Sequence, residues 1–359
     1  MKNLFHALKR KVGPMISNDI GVDLGTANTL VYLRGKGIVI NEPSVVALNQ
    51  KTGQIVDIGT GAKDMIGRTP SHILAIKPLT DGVISDYEIT EEMLSYLVGK
   101  TELLISRKFV GPRMLVGVPS GITNVERRAV RDAAKSAGAR EVYIVEEPMA
   151  SAIGIRLPIN EPVGSMIVDI GGGTSDIAII SLGGLVTSKN LNVAGDKFNK
   201  DIISYVRDEF KILIGEKTAE RVKISTTSLI PQDKPIESTI KGRDLVTGLP
   251  REVIITDADI REALSHSIDT LVESIRSVME SAPPEILGDV MHRGMFLVGG
   301  GSMLNGLDRF LGEWLKIPVF RSDDPLTAVA RGTGVILENL DAYWDILIHD
   351  DGELPIQKQ

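Results

Sequence analysis

The sequence has 359 residues, and because a typical domain holds roughly 100–200 residues, its length predicts two domains or two lobes. With 43% hydrophobic residues, 24% charged residues, 36 Gly and 17 Pro, the composition is globular and excludes a disordered, collagen-like or coiled-coil chain. The absence of cysteine excludes disulfides and thiolate metal sites, and the net charge of −7 argues against general nucleic-acid binding, which needs a basic surface.

The first 13 residues differ in charge from the rest of the chain. Four basic residues and no acid give them +4, so the remainder carries −11. On a helix, Leu4, Phe5 and Leu8 would share one face with basic side chains beside it, which predicts an amphipathic helix lying on a membrane surface. The alternative is a basic tail without fixed structure or a helix packed on the body. No apolar run reaches 18 residues and no secretory signal is present, so we expect a cytoplasmic protein.

Strands and helices alternate along the rest of the chain. Apolar runs rich in Val and Ile predict buried strands at 114–118, 142–145, 165–170, 177–182 and 295–298. Capping residues predict helices that open at Thr123 and end at Gly138, open at Asp196, and run from Thr256 to the Pro283 region. This alternation predicts an α/β chain with mainly parallel sheets. Residues 41–77 and 225–256 lack the pattern and predict small α+β insertions.

Two segments repeat the same glycine-rich pattern. In each, an apolar strand ends in an aspartate, Asp23 or Asp169, and turns through glycine with threonine nearby before a second apolar run. The aspartates are 146 residues apart, and each unit predicts a β-hairpin with a glycine-rich tip. A third glycine turn, at 299–302, leads into a helix. This repeated pattern indicates that each lobe begins with the same structural motif.

The chemistry of these tips favours phosphate binding. Consecutive backbone N–H groups without side chains form a concave donor nest for phosphate oxygens, and strand-end carboxylates suit Mg²⁺ held through water. A single glycine turn could merely reverse the chain, but two matching tips with paired aspartates favour a polyphosphate ligand. Glu147 follows a predicted strand and could orient a water for attack, or could simply start the next helix with Pro148.

Other nucleotide and metal motifs are missing from the sequence. There is no G-x-x-x-x-G-K-[ST] string, no G-x-G-x-x-G after the first strand, and only five scattered histidines with no cysteine. These absences argue against a P-loop protein, a dinucleotide-binding fold and a metal hydrolase.

Taken together, the hairpins, the acidic strand end and the third glycine turn resemble the actin, Hsp70 and sugar-kinase superfamily. Within it, the sequence closely resembles the MreB family of bacterial actins over about residues 19–340, through the strings IGVDLGTANTLVY, NEPSVVA, KPLTDGVISD, VEEPMASAIG, VDIGGGTSDIA and GGGSMLNGL. The resemblance implies an actin-like ATPase fold of two lobes, each with a helix-flanked core sheet and a small outer subdomain. ATP would lie in the cleft between the lobes.

The resemblance also implies domain boundaries. The first lobe would comprise 17–160 and 326–345, with its outer subdomain at about 41–77, and the second lobe 161–325, with its outer subdomain at about 198–256. The amphipathic helix at 1–13 precedes them, and an acidic tail at 346–359 follows. Phe109 and Val110 resemble a second membrane-touching loop of the family.

Site residues are carried over by matching position. Asp23 and Asp169 would lie near Mg²⁺, and Glu147, assisted by Thr174, would orient the attacking water. The remaining residues would contact the nucleotide. Its phosphates would be bound by Gly25, Thr26, Ala27, Asn28, Gly171, Gly172, Gly173 and Thr174, its ribose by Gly195 and Asp196, and its adenosine by Glu220, Lys223, Gly300, Gly301 and Met303. One departure is visible, because residues 224–228 are more polar than the family pattern leads us to expect.

The expected function is that of a cytoplasmic, membrane-associated, ATP-dependent filament protein that organises peptidoglycan synthesis and maintains rod shape. Its cofactors would be ATP and Mg²⁺, and its partners would be itself, the inner face of the cell membrane and membrane proteins of the cell-wall elongation complex, but not nucleic acid. Three alternatives stay open. A sugar or acid kinase would need a substrate-facing general-base Asp, an Hsp70-type chaperone would need a further substrate-binding domain, and a plasmid-partitioning actin would have no use for a membrane tail.

Overall fold

A computed structural model describes residues 19–103 and 111–348. The predicted membrane residues Leu4, Phe5, Leu8, Phe109 and Val110 lie outside the described residues, as do residues 349–359 of the predicted acidic tail. The chain divides into two compact units. The first takes the described residues of 19–64, 70–157 and 327–348, and the second takes 65–69 and 158–326.

The first unit contains one five-stranded sheet, one three-stranded sheet and a short hairpin. Its strands are β1 Ile20–Leu24, β2 Asn28–Leu33, β3 Gly37–Pro43, β4 Val46–Asn49, β5 Gln54–Ile58, β6 Ile73–Ile76, β7 Leu79–Thr80, β8 Val83–Ile84, β9 Arg113–Val118 and β10 Glu141–Glu146. Its helices are α1 Thr60–Met65, α2 Tyr87–Leu103, α3 Asn124–Ser136, α4 Glu147–Gly154 and, late in the chain, α10 Ala328–Glu338.

The large sheet of the first unit has the order β10-β9-β1-β2-β3. On one face, Val22, Val31 and Val116 belong to a buried cluster that includes residues of α2 and α3. On the other face, α4 and α10 approach each other so closely that a Cβ on Gly332 would lie 1.8 Å from the Ala150 carbonyl oxygen. Any side chain at this position would push the helices apart, so the close helix pair depends on glycine.

The second unit repeats this plan. Its strands are β11 Ser165–Ile170, β12 Ser175–Ser181, β13 Gly184–Leu191, β14 Ile212–Leu213, β15 Glu237–Asp244, β16 Pro250–Thr256, β17 Met295–Val298 and β18 Val319–Arg321. Its helices are α5 Gly195–Phe210, α6 Glu216–Thr226, α7 Asp257–Ser281, α8 Pro284–Arg293 and α9 Leu307–Leu315. The large sheet has the order β13-β12-β11-β17-β18, and β14, β15 and β16 form a separate small sheet.

The expectation of mainly parallel sheets is wrong. In each described five-stranded sheet two strand pairs are antiparallel and two are parallel. Each unit starts with a meander of three strands joined by short turns, which can only produce antiparallel pairs. The two later strands of each sheet return through helical crossovers and add in parallel. The core of the second unit lies between its large sheet and α5, α7 and α9, around Phe198, Ile268 and Leu311.

The local predictions for helices are confirmed. Thr123 caps α3 in a reciprocal capping box with Glu126, and Thr256 caps α7 in the same way with Asp259; each threonine N–H donates to the partner carboxylate at 2.7 Å. The helix predicted to open at Asp196 begins at Gly195, and α7 ends at Ser281, before Pro283. Within the described ranges, no helix is long and apolar enough to cross a membrane.

Candidate functional site

The first glycine hairpin joins β1 to β2. Asp23 pairs with Leu30 across the hairpin, and residues 25–27 form the tip. Glycine is required at the first tip position, because a Cβ on Gly25 would lie 2.7 Å from the carbonyl oxygen of Asn28. Asp23 and Asn28 are half-buried, as are Gly25 and Ala27, whereas Thr26 is only 5% exposed.

Two residues outside the hairpin hold its tip in place. The Ser44 hydroxyl donates to the Gly25 carbonyl at 2.6 Å, and the Ser44 N–H donates to the Ala27 carbonyl at 3.0 Å. The Thr26 hydroxyl accepts a 3.0 Å hydrogen bond from the Gly82 N–H. The Thr26 side chain therefore has a structural role, and its backbone N–H is the group suited to a phosphate. Neither Ser44 nor Gly82 stands out in the sequence, although both fall within strings that carry the family resemblance.

Glu147 lies at the same end of the first unit's sheet as Asp23. It is the first residue of α4, directly after β10, with a proline next to it. Gly117 of β9 pairs in parallel register with Asp23 on one side and Val145 on the other, and a Cβ on Gly117 would lie 3.6 Å from Glu147 Cγ. The structure thus brings Asp23, the tip and Glu147 to one sheet edge, and Glu147 also occupies the helix-start position, where an acid is favourable.

The second glycine hairpin joins β11 to β12. Asp169 is 7% exposed and pairs with Val298 of β17, and the tip closes with a 2.9 Å hydrogen bond from the Gly171 N–H to the Thr174 carbonyl. Gly173 and Thr174 are buried, whereas Gly171 and Gly172 are half-buried. Like the first tip after Asp23, the second tip therefore places glycine backbone groups directly after a strand-end aspartate.

The start of α5 holds the second tip. The N–H groups of Gly195 and Asp196 donate to the carbonyls of Gly171 and Gly172 at 3.2 and 2.7 Å. Lys223 of α6 donates in turn to the Gly195 carbonyl at 2.9 Å. The structure thus joins the predicted phosphate, ribose and adenosine residues of the second unit through direct contacts. Glu220 is one helical turn from Lys223 on the same helix.

The third glycine turn follows β17 and packs against β11. Gly299 has a positive φ of 77°, and a Cβ there would lie 2.4 Å from Asp169 Oδ1, so only glycine fits. A Cβ on Gly301 would lie 2.2 Å from Ile170 Cγ2. Gly300 begins a short 3-10 turn that ends at Met303, a residue that is 51% exposed. The turn therefore lies beside the Asp169 strand end, with Met303 at the surface.

The polar stretch at 224–228 has a structural explanation. The Thr226 hydroxyl donates to Ser238 of β15 at 2.7 Å, and Thr227 donates to the Lys223 carbonyl at 2.6 Å. Ser228 donates to the Ile230 carbonyl, and its own carbonyl accepts from Arg261. These residues join the end of α6 to the small sheet, so their polarity serves hydrogen bonding within the second unit.

The carboxylates at the two hairpins suit a Mg²⁺ ion that is held mainly by phosphate oxygens and water. Among residues 19–103 and 111–348, no group of three or more His, Asp or Glu side chains could hold a metal ion. Mg²⁺ in nucleotide sites is commonly bound through one or two carboxylates plus phosphate oxygens and several waters. Single carboxylates at strand ends, such as Asp23 and Asp169, suit that mode and not a dedicated protein cage.

Comparison with known proteins places the chain in a family. The family model described as MreB/Mbl protein matches residues 17–344. The chain is 48% identical to the cell shape-determining protein Mbl of Bacillus subtilis (strain 168), over 91% of this chain and 98% of that protein. It is 47% identical to the cell shape-determining protein MreB of Escherichia coli (strain K12), over 95% and 99% of the two chains.

Solved structures agree with the sequence comparison. MreB5 of Spiroplasma citri, solved with ADP and with AMPPNP, superposes with a TM-score of 0.87 at 37% identity, covering 92% of this chain and 98% of that one. The fold is therefore the actin-like fold. Because the family model matches nearly the whole chain and two relatives are nearly half identical over almost their full lengths, the chain belongs to the MreB/Mbl family of cell shape-determining proteins.

Proposed function

We propose that this protein is a polymerising ATPase of the cytoplasm, whose filaments lie at the inner face of the cell membrane, organise peptidoglycan synthesis and maintain rod shape. The observation that carries the proposal is the repetition of one device, a glycine-tipped hairpin after a strand-end aspartate, in both units. ADP and AMPPNP in the MreB5 structures support an adenine nucleotide as the ligand.

Each unit contributes backbone N–H groups to the phosphates. Such groups bind anions strongly because they are fixed donors that need no reorganisation. The proposed phosphate contacts are Gly25, Thr26, Ala27, Asn28, Gly171, Gly172, Gly173 and Thr174. The proposed ribose and adenosine contacts are Gly195, Asp196, Glu220, Lys223, Gly300, Gly301 and Met303.

Hydrolysis requires a water aligned with the terminal phosphate. Mg²⁺, when bound, neutralises charge that develops on the phosphates, and Asp23 and Asp169 would hold it. Glu147 orients the attacking water, because its side chain stands on the same sheet face as Asp23. Thr174, at the end of the second tip, assists it.

Assembly follows from head-to-tail contacts between copies. Heterologous contacts that do not close into a ring generate filaments. The family's cell shape-determining relatives support a structural role for such a filament. Nucleotide hydrolysis would then limit filament lifetime instead of serving metabolism.

The N-terminal tail supplies membrane attachment. Burial of Leu4, Phe5 and Leu8 is worth at most about 1.5–3 kcal/mol each, and each basic residue near an anionic leaflet adds about 1 kcal/mol. Ordering of the tail subtracts from this sum. A single copy therefore binds weakly, whereas a filament with many tails binds through avidity. The filament could then carry membrane proteins of the elongation complex along the cell wall.

Sedimentation with Mg·ATP, with and without anionic liposomes, followed by negative-stain microscopy, tests assembly. We expect filaments with nucleotide and pelleting with lipid. A protein that stays monomeric at every concentration while phosphorylating a small molecule would establish the kinase alternative instead.

Deletion of residues 1–13 tests membrane attachment. We expect liposome binding to be lost and assembly in solution to persist, and Phe5→Glu with Leu8→Glu should act in the same way. Unchanged lipid co-sedimentation of the deletion variant would contradict the role of the tail and transfer it to Phe109 and Val110.

A further inference from the structure

The carboxylate of Glu42 joins three elements of the first unit. Glu42 is the residue before the last of β3, and its Oε2 accepts hydrogen bonds from the N–H and the hydroxyl of Thr60 at 3.0 and 2.9 Å. Its Oε1 accepts a hydrogen bond from Lys100 Nζ at 2.9 Å. Thr60 begins α1, and Lys100 lies in the last turn of α2. We name these three residues the Glu42 clasp.

The backbone beside the clasp leaves room for this carboxylate. Gly59 has a positive φ of 79°, and a Cβ there would lie 2.4 Å from Glu42 Oε2. A side chain at this position would strain the turn and displace the carboxylate, so glycine is required. The side chain of Glu42 is 20% exposed and that of Lys100 is 37% exposed. The clasp is therefore a partly desolvated charge pair with further hydrogen bonds, which is stronger than a lone surface ion pair.

Both members of the charge pair are ionised at neutral pH. Burial alone would raise the pKa of the Glu42 carboxyl, but the hydrogen bonds from Lys100 and Thr60 outweigh burial and hold this pKa below its ordinary value. Hydrogen bonds with Tyr96 and Glu42 raise the pKa of Lys100, whose Nζ also lies 4.6 Å from the centre of the Tyr96 ring. The clasp thus keeps its charges over the physiological pH range.

The clasp lies two residues from a support of the first tip. Ser44 is fully buried, and its hydroxyl and N–H donate to two carbonyls of that tip. Glu42 pairs with Thr29 across the β2–β3 ladder, and the Thr29 hydroxyl oxygen lies 2.9 Å from the Ser44 hydroxyl oxygen. Pro43 joins Glu42 to Ser44, and its ring restricts the φ angle between them. A shift of Glu42 therefore moves Ser44.

A further hydrogen bond joins the same segment to the start of α1. The Gly59 N–H donates to the Val45 carbonyl at 2.8 Å. Val46 of β4 and Ile58 of β5 pair with each other, and both belong to the buried cluster that includes residues of α2. Residues 42–45 are therefore bonded to the first tip through Ser44 and to the start of α1 through the clasp and Val45.

We infer that Glu42 is a positioning residue for the first phosphate tip, because the clasp fixes the end of β3 from which Ser44 holds that tip. The inference rests on the proposed binding of ATP and adds to it a residue that does not itself touch the nucleotide. Coupling between two sites is reciprocal. If the clasp favours phosphate binding at the tip, phosphate at the tip stabilises the clasp and the start of α1 by the same factor.

The first measurement is the affinity for AMPPNP with Mg²⁺, at a protein concentration at which the chain is monomeric. Glu42→Ala removes all three hydrogen bonds and should weaken binding about tenfold, since coupling between sites is typically worth about five- to 150-fold. Lys100→Met removes one hydrogen bond and should cause a smaller loss. The control, Glu338→Ala, also removes one carboxylate, which accepts from Tyr32 at 2.7 Å near the end of β2 away from the tip. Its affinity should equal that of the parent chain.

The second measurement is a double-mutant cycle with Ser44→Ala. Independent substitutions multiply their effects on affinity, whereas substitutions that act through one contact do not. If Glu42 acts through Ser44, the loss caused by Glu42→Ala should shrink to less than about twofold in the Ser44→Ala background. Thermal unfolding followed by circular dichroism checks that each variant is folded. Lys100→Met keeps both hydrogen bonds to Thr60 and replaces Glu42→Ala in the cycle if that variant does not fold.

The third measurement is hydrogen exchange of the backbone amides of residues 54–64, with and without saturating AMPPNP. Slow exchange reports local stability, and a purely structural role of Glu42 would leave the effect of nucleotide on it unchanged. Nucleotide should slow exchange in the parent chain and in Glu338→Ala. It should slow exchange much less in Glu42→Ala and to an intermediate extent in Lys100→Met.

Three results would overturn the inference. Parent-like affinity of both Glu42→Ala and Lys100→Met would show that the clasp only stabilises the first unit. Multiplying losses in the cycle would show that Glu42 acts independently of Ser44. Equal slowing of exchange in the parent chain and in Glu42→Ala would show that the tip and the clasp are not coupled. Failure of the proposed function differs from all three, because the parent chain itself would then bind no AMPPNP.

Discussion

The two glycine hairpins share a sequence pattern and a strand register, yet different groups hold their tips. In the first unit two hydroxyl groups take part, because the Ser44 hydroxyl donates to the Gly25 carbonyl and the Thr26 hydroxyl accepts from the Gly82 N–H, and the Ser44 N–H adds a bond to the Ala27 carbonyl. In the second unit the support comes from the backbone at the start of α5, reinforced by Lys223. A repeated motif therefore does not imply a repeated environment.

The electrostatic environment of the two tips differs as well. The amino terminus of a helix carries partial positive charge, and α5 directs its first N–H groups at the second tip. The first tip has no helix start bonded to it among the hydrogen bonds of the described residues, but it has Glu147 at the same sheet edge. We infer that the second unit contributes mainly to binding of the phosphates and the first unit mainly to the hydrolytic step.

The largest expected effect is on the rate of hydrolysis. Measuring it tests whether the first unit contributes mainly to the hydrolytic step. Glu147→Ala should lower the rate of phosphate release about 100-fold or more, a loss typical of a water-positioning group, while ATP still binds and filaments still form. The matched control is Asp324→Ala, since Asp324 also precedes a proline after the outer parallel strand of its sheet. Its turnover should stay near that of the parent.

Phosphate release and nucleotide binding measured on both variants decide the outcome. Equal losses of binding and turnover in Glu147→Ala, or full turnover, would mean that the residue only starts α4. A matching loss in Asp324→Ala would remove the proposed asymmetry between the units.

The next effect concerns the metal-proximal aspartates. Asp169→Ala should weaken Mg·ATP affinity by roughly tenfold or more, because it removes one of the carboxylates that suit Mg²⁺. Titration of nucleotide with and without Mg²⁺ measures this loss, which should disappear when Mg²⁺ is left out. A loss that is the same without Mg²⁺ would indicate that Asp169 only shapes the turn beside Gly299.

A smaller effect is expected from the supports of the tips. Ser44→Ala removes a 2.6 Å hydrogen bond to the first tip, and Lys223→Met removes a 2.9 Å hydrogen bond behind the second. Each hydrogen bond is worth about 1 kcal/mol, or roughly fivefold in nucleotide affinity if the tip loosens. We expect Lys223→Met to lower affinity more, since it also removes a positive charge. The reverse order in a binding titration would contradict the assignment of phosphate binding to the second unit.

The smallest expected effect is on the free energy of unfolding, when the capping boxes of the two units are removed one at a time. Thr123→Ala and Thr256→Ala each remove an N-cap side chain, which costs about 1 kcal/mol of the free energy of unfolding. Chemical denaturation followed by circular dichroism should show similar losses and unchanged nucleotide binding for both. A change in nucleotide affinity for Thr256→Ala alone would indicate that α7 transmits strain to the second site.

Much of the candidate site could be predicted because its signals are local. A glycine at a tight tip, an aspartate at a strand end and a threonine three residues before an acid act through neighbours in sequence, so Asp23, Asp169 and both capping boxes were visible without a structure. The roles proposed for Glu220, Lys223 and Met303 came only from family resemblance, since no local pattern distinguishes them from ordinary helix and turn residues.

Contacts between distant residues decided the rest. Ser44 and Gly82 bond to the first tip from 19 and 56 residues away, and Asp19 meets Arg113 across 94 residues. The parallel half of each large sheet likewise depends on distant strands coming together, as where Asp23 pairs with Gly117 and Asp169 pairs with Val298. Apolar periodicity specifies that a segment is buried, and glycine specifies where the chain turns. Only tertiary packing selects the hydrogen-bond partner of a given residue, because many polar side chains could form the same hydrogen bond if the fold placed them there.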